Sequence, residues 1–440
     1  MLRLVVVLLL APCLAFAQEA EAVTLEQAIR ISLSRHPEVA KARAASDVFQ
    51  GKVREVRAQA LPEITAHGGI LRMRDPSFLN SSSLDKFPQD LIDALDPVGS
   101  NIFGYNVTIR QPLYTAGKIG SALRLASVEA EGSIAEIDRA EQDLALEVTK
   151  AYYALLWAEG YQKNVAETQD QRKQHASMAR TRHQNGVATE VDVLRSEVAV
   201  ANGHPDLVRA ENAIRQARAR LNYYLVRPLD YPTRCAETFL EQSWEERDLE
   251  KLAQEAYRRR PELARLRVSE QSAGIMLDLA KAENRFRADF ASEYGVMSRL
   301  PRNLFNSRFL RWTAGVDFRF PLFDGFKRSG MVYQGVANQR AAGLERQQAE
   351  QQIKLQLQQA LDEQIAARET VAAARANIQQ AERVLEMTQA NYQYGAATTL
   401  DIVDAQTALA VARTNLLRGL YDVSVARANL RWAMGRTPWE

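Results

Sequence analysis

The chain is written twice. Leu25-Glu26 through Arg35-His36-Pro37-Glu38-Val39-Ala40 recurs without a gap as Leu249-Glu250 through Arg259-Arg260-Pro261-Glu262-Leu263-Ala264. Val107-Thr108-Ile109-Arg110-Gln111-Pro112-Leu113-Tyr114 recurs as Val316-Asp317-Phe318-Arg319-Phe320-Pro321-Leu322-Phe323, and Gly186 to Asp192 recurs as Gly395 to Asp401. Three matches in one order make coincidence improbable, so the fold is two copies of one large unit. The last two matches share one offset, and the first is longer by about fifteen residues. The surplus falls between Ala66 and Phe103, where Asp75-Pro76-Ser77 to Asp96-Pro97 is rich in Ser, Asp and Pro and reads as a long loop. The expected division is 1–17 as a leader, 18–228 as the first repeat, 229–247 as a linker and 248–440 as the second repeat.

The leader is read from Arg3, the apolar run Leu4 to Ala17, and Ala15-Phe16-Ala17 ahead of Gln18. A charged start, a short apolar stretch and small residues at the cut predict a secretory signal peptide cleaved near Ala17. Cys13 lies inside the run, and Pro12 before it suits a lipoprotein cleavage box poorly. After cleavage only Cys235 remains. A lone cysteine forms no internal disulfide, and it reads as a packed small hydrophobe.

Each repeat is expected to run helix, strand, loop, strand, long helix, turn, helix. Only 14 prolines and 21 glycines punctuate 440 residues, which favours a few long elements. No proline interrupts Gly117 to Gly186 or Gly325 to Gly395, and both spans are rich in Ala, Leu, Glu, Gln and Arg. About 67 residues at 1.5 Å each make a helix of roughly 100 Å, too long for a compact globule of this size. Thr189 and Thr398 stand where an N-cap belongs, ahead of returning helices over Glu190–Tyr224 and Thr399–Met434. Leu400, Val403, Thr407, Ala410, Leu417, Leu420 and Val423 follow three- and four-residue steps, with alanines between them, which predicts packing on two sides. An ordinary antiparallel bundle would give a similar pattern. Pro205 is expected to kink or break the first returning helix.

The strands alternate. Phe103, Tyr105, Val107 and Ile109 are interleaved with Gly104, Asn106, Thr108 and Arg110. Trp312, Ala314, Val316, Phe318 and Phe320 are interleaved with Thr313, Gly315, Asp317 and Arg319. Such period-two patterning suits a strand between two different solvents, although a half-buried soluble sheet shares it. Partner strands are expected near Ile64–Arg74 and Asp289–Arg299. Four strands cannot close a barrel, which takes about eight or more, and a membrane tolerates no open edge. Three chains would supply twelve strands and, with about 10 Å per helix, a tube roughly 38 Å wide, whereas two chains would give eight strands and a much narrower bore.

The sequence resembles the TolC-like outer-membrane efflux proteins over essentially all its mature length. The residues that carry the likeness are Gln111-Pro112-Leu113-Tyr114, Phe320-Pro321-Leu322-Phe323, Tyr392-Gln393-Tyr394-Gly395 and Leu400-Asp401-Ile402-Val403-Asp404-Ala405-Gln406. The duplication and the leader complete it. The resemblance implies a mainly α fold with a small β part. It implies a homotrimer whose twelve-stranded outer-membrane barrel continues as a long periplasmic helical barrel. It implies partnership with a periplasmic adaptor and an inner-membrane RND, ABC or MFS transporter, and passive passage of drugs, metals or secreted proteins.

The resemblance also implies site roles. Asp401 and Asp404, three residues apart on one helix face, would ring the periplasmic entrance with raised protonation equilibria. On their residue pattern alone they are equally first-turn acids that complement the helix dipole. Asp192 and Tyr392 would belong to an entrance latch. Its usual arginine position is Ala397 here, and Arg195 could offer a different ion pair. Pro112 and Pro321 are expected to end their strands at the barrel–tunnel joint. Phe103, Tyr105, Val107, Ile109, Trp312, Val316 and Phe318 are expected to face outer-membrane lipid, and Asn106, Thr108 and Asp317 the lumen.

Other classes find little support. Lys plus Arg (56) nearly balances Asp plus Glu (54), unlike a dedicated nucleic-acid binder. Mean hydropathy is −0.31, and no stretch after residue 17 approaches a spanning helix. His36, His67, His175, His183 and His204 show no metal-ligand spacing, and no nucleophile elbow, phosphate loop or dinucleotide fingerprint occurs. Neither cofactor nor catalysis is therefore expected. The competing readings are a secreted soluble coiled-coil scaffold and a periplasmic adaptor.

Overall fold

The computed structural model describes residues 21–73, 100–239 and 248–437, together with Pro88 and Asp90. The leader with Cys13, most of the loop at Asp75–Pro97 and residues 240–247 of the linker lie outside the described residues. The first repeat contains β1 (Ala22–Val23), α1 (Leu25–Arg35), α2 (Pro37–Ala58), β2 (Glu63–Met73), β3 (Ser100–Tyr114), α3 (Lys118–Gln184) and α4 (Glu190–Leu225). After β4 (Arg234–Cys235), the second contains α5 (Leu249–Arg259), α6 (Pro261–Ala282), β5 (Arg287–Ser298), β6 (Leu310–Arg319), α7 (Lys327–Gln393) and α8 (Thr399–Ala433). α3 and α7 each run 67 residues.

The element order repeats, with one difference from expectation. The opening helix of each repeat is two helices, broken at His36 and Arg260. Proline follows each break, and it forces the residue before it into extended backbone, with ψ of 132° at His36 and 124° at Arg260. Pro205 behaves otherwise, for α4 continues through it. Two residues earlier, a Cβ on Gly203 would lie 2.0 Å from the Gln169 Oε1 of α3, so close helix packing holds this segment.

By contacts the chain divides into two units that cut across the repeats. One comprises the chain up to Arg43, Glu136–Leu263 and the chain from Gln348 onward; the other comprises Ala44–Ala135 and Ala264–Gln347. The first unit is helical apart from the parallel pair β1–β4. Its core joins Val23, Ile29, Val39, Leu144, Tyr152 and Leu225, where the buried Tyr152 hydroxyl donates to the Val23 carbonyl at 3.1 Å. Cys235 packs beside this core and its thiol donates to the Tyr152 carbonyl; burial pushes the thiol well above its ordinary value, so it is an inert packing residue. In α8 the buried stripe is Ile402, Ala405, Leu409 and Ala412, while Leu400 and Val411 on another face stay exposed.

The second unit holds a four-stranded antiparallel sheet in the order β2-β3-β5-β6. The register sets Ala66, Val107, Tyr294 and Trp312 side by side, and likewise Gly68, Tyr105, Val296 and Leu310. Directly opposed residues share a face, so one face is apolar across all four strands. The neighbouring rows carry the polar residues: Thr65, Thr108, Glu293 and Thr313, then Glu63 and Arg110 with the small Ala291 and Gly315 beside them. Gly295 of β5 sits against Asn106 of β3 so closely that a Cβ would meet the Tyr105 carbonyl oxygen at 2.3 Å. The helices join the sheet at its Glu63, Tyr114, Arg287 and Arg319 end, and the β5–β6 connection lies at the other end.

Candidate functional site

Two places in the fold collect the residues singled out by sequence: the helical turns at 185–189 and 394–398, and the two faces of the sheet. The turns are built alike. α3 ends with the Val187 N–H donating to the Arg182 carbonyl and the Gly186 N–H to the His183 carbonyl. α7 ends with Ala396 donating to Asn391 and Gly395 to Tyr392. This pairing closes a helix through a left-handed residue, and Gly186 (φ +74°) and Gly395 (φ +79°) supply it. Each returning helix then opens on a capping box, Thr189 with Asp192 and Thr398 with Asp401.

The capping boxes fix two of the predicted residues. The Asp401 carboxylate accepts from the Thr398 backbone N–H and hydroxyl, both at 2.7 Å, and those bonds hold it below the usual carboxylate range. Within one chain, therefore, Asp401 shifts opposite to the raised equilibrium expected of a ring. Local hydrogen bonds to the charged form outweigh anything else near it. Asp404 is exposed and makes no ion pair or hydrogen bond among the described residues. Asp192 is held low as well, first by the Thr189 hydroxyl and further by the Thr399 hydroxyl, with the charge of Arg195 adding to the effect.

Tyr392 lies across from Asp192, with Thr399 between them. It is only 6% exposed, and its hydroxyl lies 3.4 Å from Thr399 Oγ1. The guanidinium of Arg182 stacks 4.7 Å from the ring centroid and donates to the Tyr392 carbonyl at 3.1 Å. His175 meets the same ring edge-on at 5.3 Å; burial lowers its pKa, which Asp192 partly offsets. A chain of contacts thus runs Arg182, Tyr392, Thr399, Asp192, Thr189, tying the first helical hairpin to the second within one molecule. Sequence reasoning paired Arg195 with this cluster and missed Arg182 and His175. Their spacing, two turns apart on one face of α3, marks a shared helix face but does not point to the partner Tyr392.

On the sheet, Phe103, Tyr105, Val107, Ile109, Trp312, Val316 and Phe318 all lie on the apolar face. Trp312 is 69% exposed and Phe318 67%. Aromatic rings gather at both ends of that face: Tyr105, Tyr294 and Trp312 toward the β5–β6 connection, and Tyr114, Phe286 and Phe318 toward the helices, with Phe286 stacked on Phe318 at 6.0 Å. Between them lie Ile109, Ala314 and Val316, with Phe290 beside Val316. On the opposite face Glu293 accepts from Asn106 at 2.9 Å and from Arg311 at 3.1 Å, bridging three strands. A recess of about 810 Å³ opens on this face beside Glu63, Arg110, Arg287, Asp289, Asp317 and Arg319.

Pro112 does not end its strand. β3 continues to Tyr114, and Pro112 pairs with Asp289 just before a register irregularity. β2 stops opposite Arg110, so Pro112 has a neighbour on one side only, where a residue without N–H is tolerated. Pro321 does lie beyond its strand, which ends at Arg319. The turn from strand to helix is made by positive-φ pairs, Ala116–Gly117 and Gly325–Phe326.

Among the described residues no cluster of His, Cys, Asp or Glu could hold a metal ion, and no helix is long and apolar enough to cross a membrane. The sequence model of the outer membrane efflux protein family matches residues 28–225 and 252–436. Protein CyaE of Bordetella pertussis is 24% identical over 318 residues, 72% of this chain, and the chain spans 64% of that protein's length. Outer membrane protein TolC of Vibrio cholerae is 23% identical over 411 residues, 91% of this chain and 87% of that protein. Among solved structures, a Pseudomonas aeruginosa membrane protein superposes with a TM-score of 0.81 at 18% identity, over 94% of this chain and 90% of the other. The Vibrio cholerae outer membrane protein VceC superposes at 0.76 with 19% identity, over 94% and 96%.

Proposed function

Because the chain belongs to the outer membrane efflux protein family, we propose that it is the passive outer-membrane channel of an export assembly, three copies closing one twelve-stranded barrel. Members of the family are passive channels and not enzymes. The observation that carries the proposal is the four-stranded sheet: one face apolar and ringed by aromatics at both ends, the other charged, and β2 and β6 at its two edges. An apolar band between two aromatic girdles is the pattern of a strand wall in lipid, with polar residues turned to a wet lumen. A soluble scaffold would leave that face in water, and lipid forbids the open edges. Pairing β6 of one copy with β2 of the next removes both edges and gives twelve strands. The exposed apolar residues Val191, Leu194 and Val198 on α4, and Leu400 and Val411 on α8, suit helix packing between copies.

In this reading Phe103, Tyr105, Val107, Ile109, Trp312, Val316 and Phe318 contact lipid, and Pro112 and Pro321 mark the barrel–tunnel joint. The turns after Gly186 and Gly395 form the periplasmic mouth, where Asp401 and Asp404 from three chains focus a negative field. Asp192, Tyr392 and Arg182 hold the two hairpins of each chain together. An inner-membrane transporter and a periplasmic adaptor would deliver the cargo, in efflux or in type I secretion. The test is electrical. Purified protein added to a planar bilayer should give steady, cation-selective conductance without an energy source, and absence of conductance from a properly assembled sample would end the channel reading.

A further inference from the structure

The β5–β6 connection, at the sheet end remote from the helices, has a composition that the channel reading leaves unused. Arg299, Arg302, Arg308 and Arg311 fall within it or at its edge, and no Asp or Glu occurs from Tyr294 to Val316. Arg311 is committed to Glu293. Arg299, Arg302 and Arg308 are exposed and have no carboxylate partner among the described residues. The backbone that presents them is ordered by two short 3-10 turns, Pro301–Asn303 and Ser307–Phe309, with the Arg308 N–H donating to the Asn306 side chain at 3.0 Å. Phe305 projects from it 93% exposed. The Tyr105 hydroxyl donates to the Leu304 carbonyl at 3.2 Å, so the connection is tied to the rim of the apolar face, beside Tyr294 and Trp312.

We propose that this connection docks on the outer leaflet of the membrane, Arg299, Arg302 and Arg308 taking the phosphates of a phosphorylated glycolipid and Phe305 entering its acyl layer. The proposal rests on the channel reading, which places this end of the sheet at the outer surface. Three features select a lipid over a protein partner. Unpaired guanidinium groups match phosphate geometry and charge. A fully exposed phenylalanine beside them needs an apolar layer directly beneath the charge. The surface is continuous with the aromatic rim that already borders lipid in this reading, as interfacial anchors do.

The experiment is native mass spectrometry of the full-length trimer with lipid A, with the same lipid stripped of its phosphates, and with inorganic phosphate as competitor. The variants are R299Q/R302Q/R308Q and R299K/R302K/R308K, compared at equal trimer content. Wild type should retain lipid A, the affinity falling about fivefold for each arginine removed. The lysine variant, which keeps the charge but loses the guanidinium fork, should bind more weakly than wild type and more tightly than the glutamine variant, and stripped lipid should bind wild type as weakly as lipid A binds the glutamine variant. Equal retention of both lipids, or unchanged binding by the glutamine variant, would overturn the proposal while leaving the channel reading intact. Displacement by millimolar inorganic phosphate would overturn it too, since the site would then be a free-anion site. Failure of the wild-type chain to form membrane-inserted trimers would remove both.

Discussion

Replacing Arg182 with Ala should loosen the turns after Gly186 and Gly395 more than any change at Arg195. Arg182 contributes a cation–π contact at 4.7 Å, about 1 kcal/mol where partly buried, and a charged hydrogen bond of 3.1 Å to the Tyr392 carbonyl, about 1.5 kcal/mol. Both come from one side chain and are not fully additive, so the loss is about 2 kcal/mol per chain. The Tyr392 hydroxyl lies 3.4 Å from Thr399, at the long limit of a hydrogen bond, so Tyr392→Phe should cost less than about 1 kcal/mol. The same Tyr392 carbonyl accepts from the Gly395 N–H, so the loss is readable as hydrogen exchange in the peptide across Gly395. In detergent-solubilised protein, Arg182→Ala should speed that exchange about thirtyfold, the equivalent of about 2 kcal/mol. Tyr392→Phe should do so by less than about fivefold. In a planar bilayer Arg182→Ala should raise resting conductance. If Arg182→Ala left both quantities unchanged, or if Arg195→Ala matched it, the contact chain through Tyr392 would not be what ties the hairpins.

Other outcomes follow from the same geometry. Arg at Val107 or Val316 should cost about 2–4 kcal/mol per site near the bilayer midplane and reduce trimer yield on a gel; normal yield for both would argue against a lipid-facing apolar side. Gly295→Ala should impair assembly, costing about 1–3 kcal/mol by overpacking against the Tyr105 carbonyl, whereas Gly315→Ala, with open space around its Cβ, should not; thermal melting separates them. Asp404→Asn should weaken block by multivalent cations without loss of stability, while Asp401→Asn should also cost about 1 kcal/mol through its capping box, so melting and block measurements must be made on both. Asp192 and Asp401 are held below the ordinary carboxylate pKa, so the stability they add is present above about pH 4 and is lost as pH falls through their lowered values. Melting temperature should therefore drop below pH 4 in wild type and less in the double Asn variant.

Much of the fold could be read from the sequence because its determinants are local or repeated. The capping threonines, the turn glycines and the unbroken helix formers of α3 and α7 act within a few residues, and duplication showed each of them twice. The strand alternation of β3 and β6 gave their faces correctly. β5 was harder to read, because Gly295 and Met297 dilute its pattern, yet Glu293 on that strand is what joins three strands on the polar face. Pro112 was misread because a strand's tolerance for proline depends on how many neighbours flank it at that point, which is a tertiary fact. Arg182 was missed for a related reason. Its partner Tyr392 is 210 residues away, and nothing in the spacing of either residue reveals that two hairpins meet there.

A conducting channel from this chain requires closure of the barrel by three copies. Native mass spectrometry of the purified protein in detergent measures this directly. Three chains per particle, persisting on dilution, is the predicted result, because four strands with two open edges per chain are completed at twelve. A particle of one or two chains that still conducts ions would contradict it.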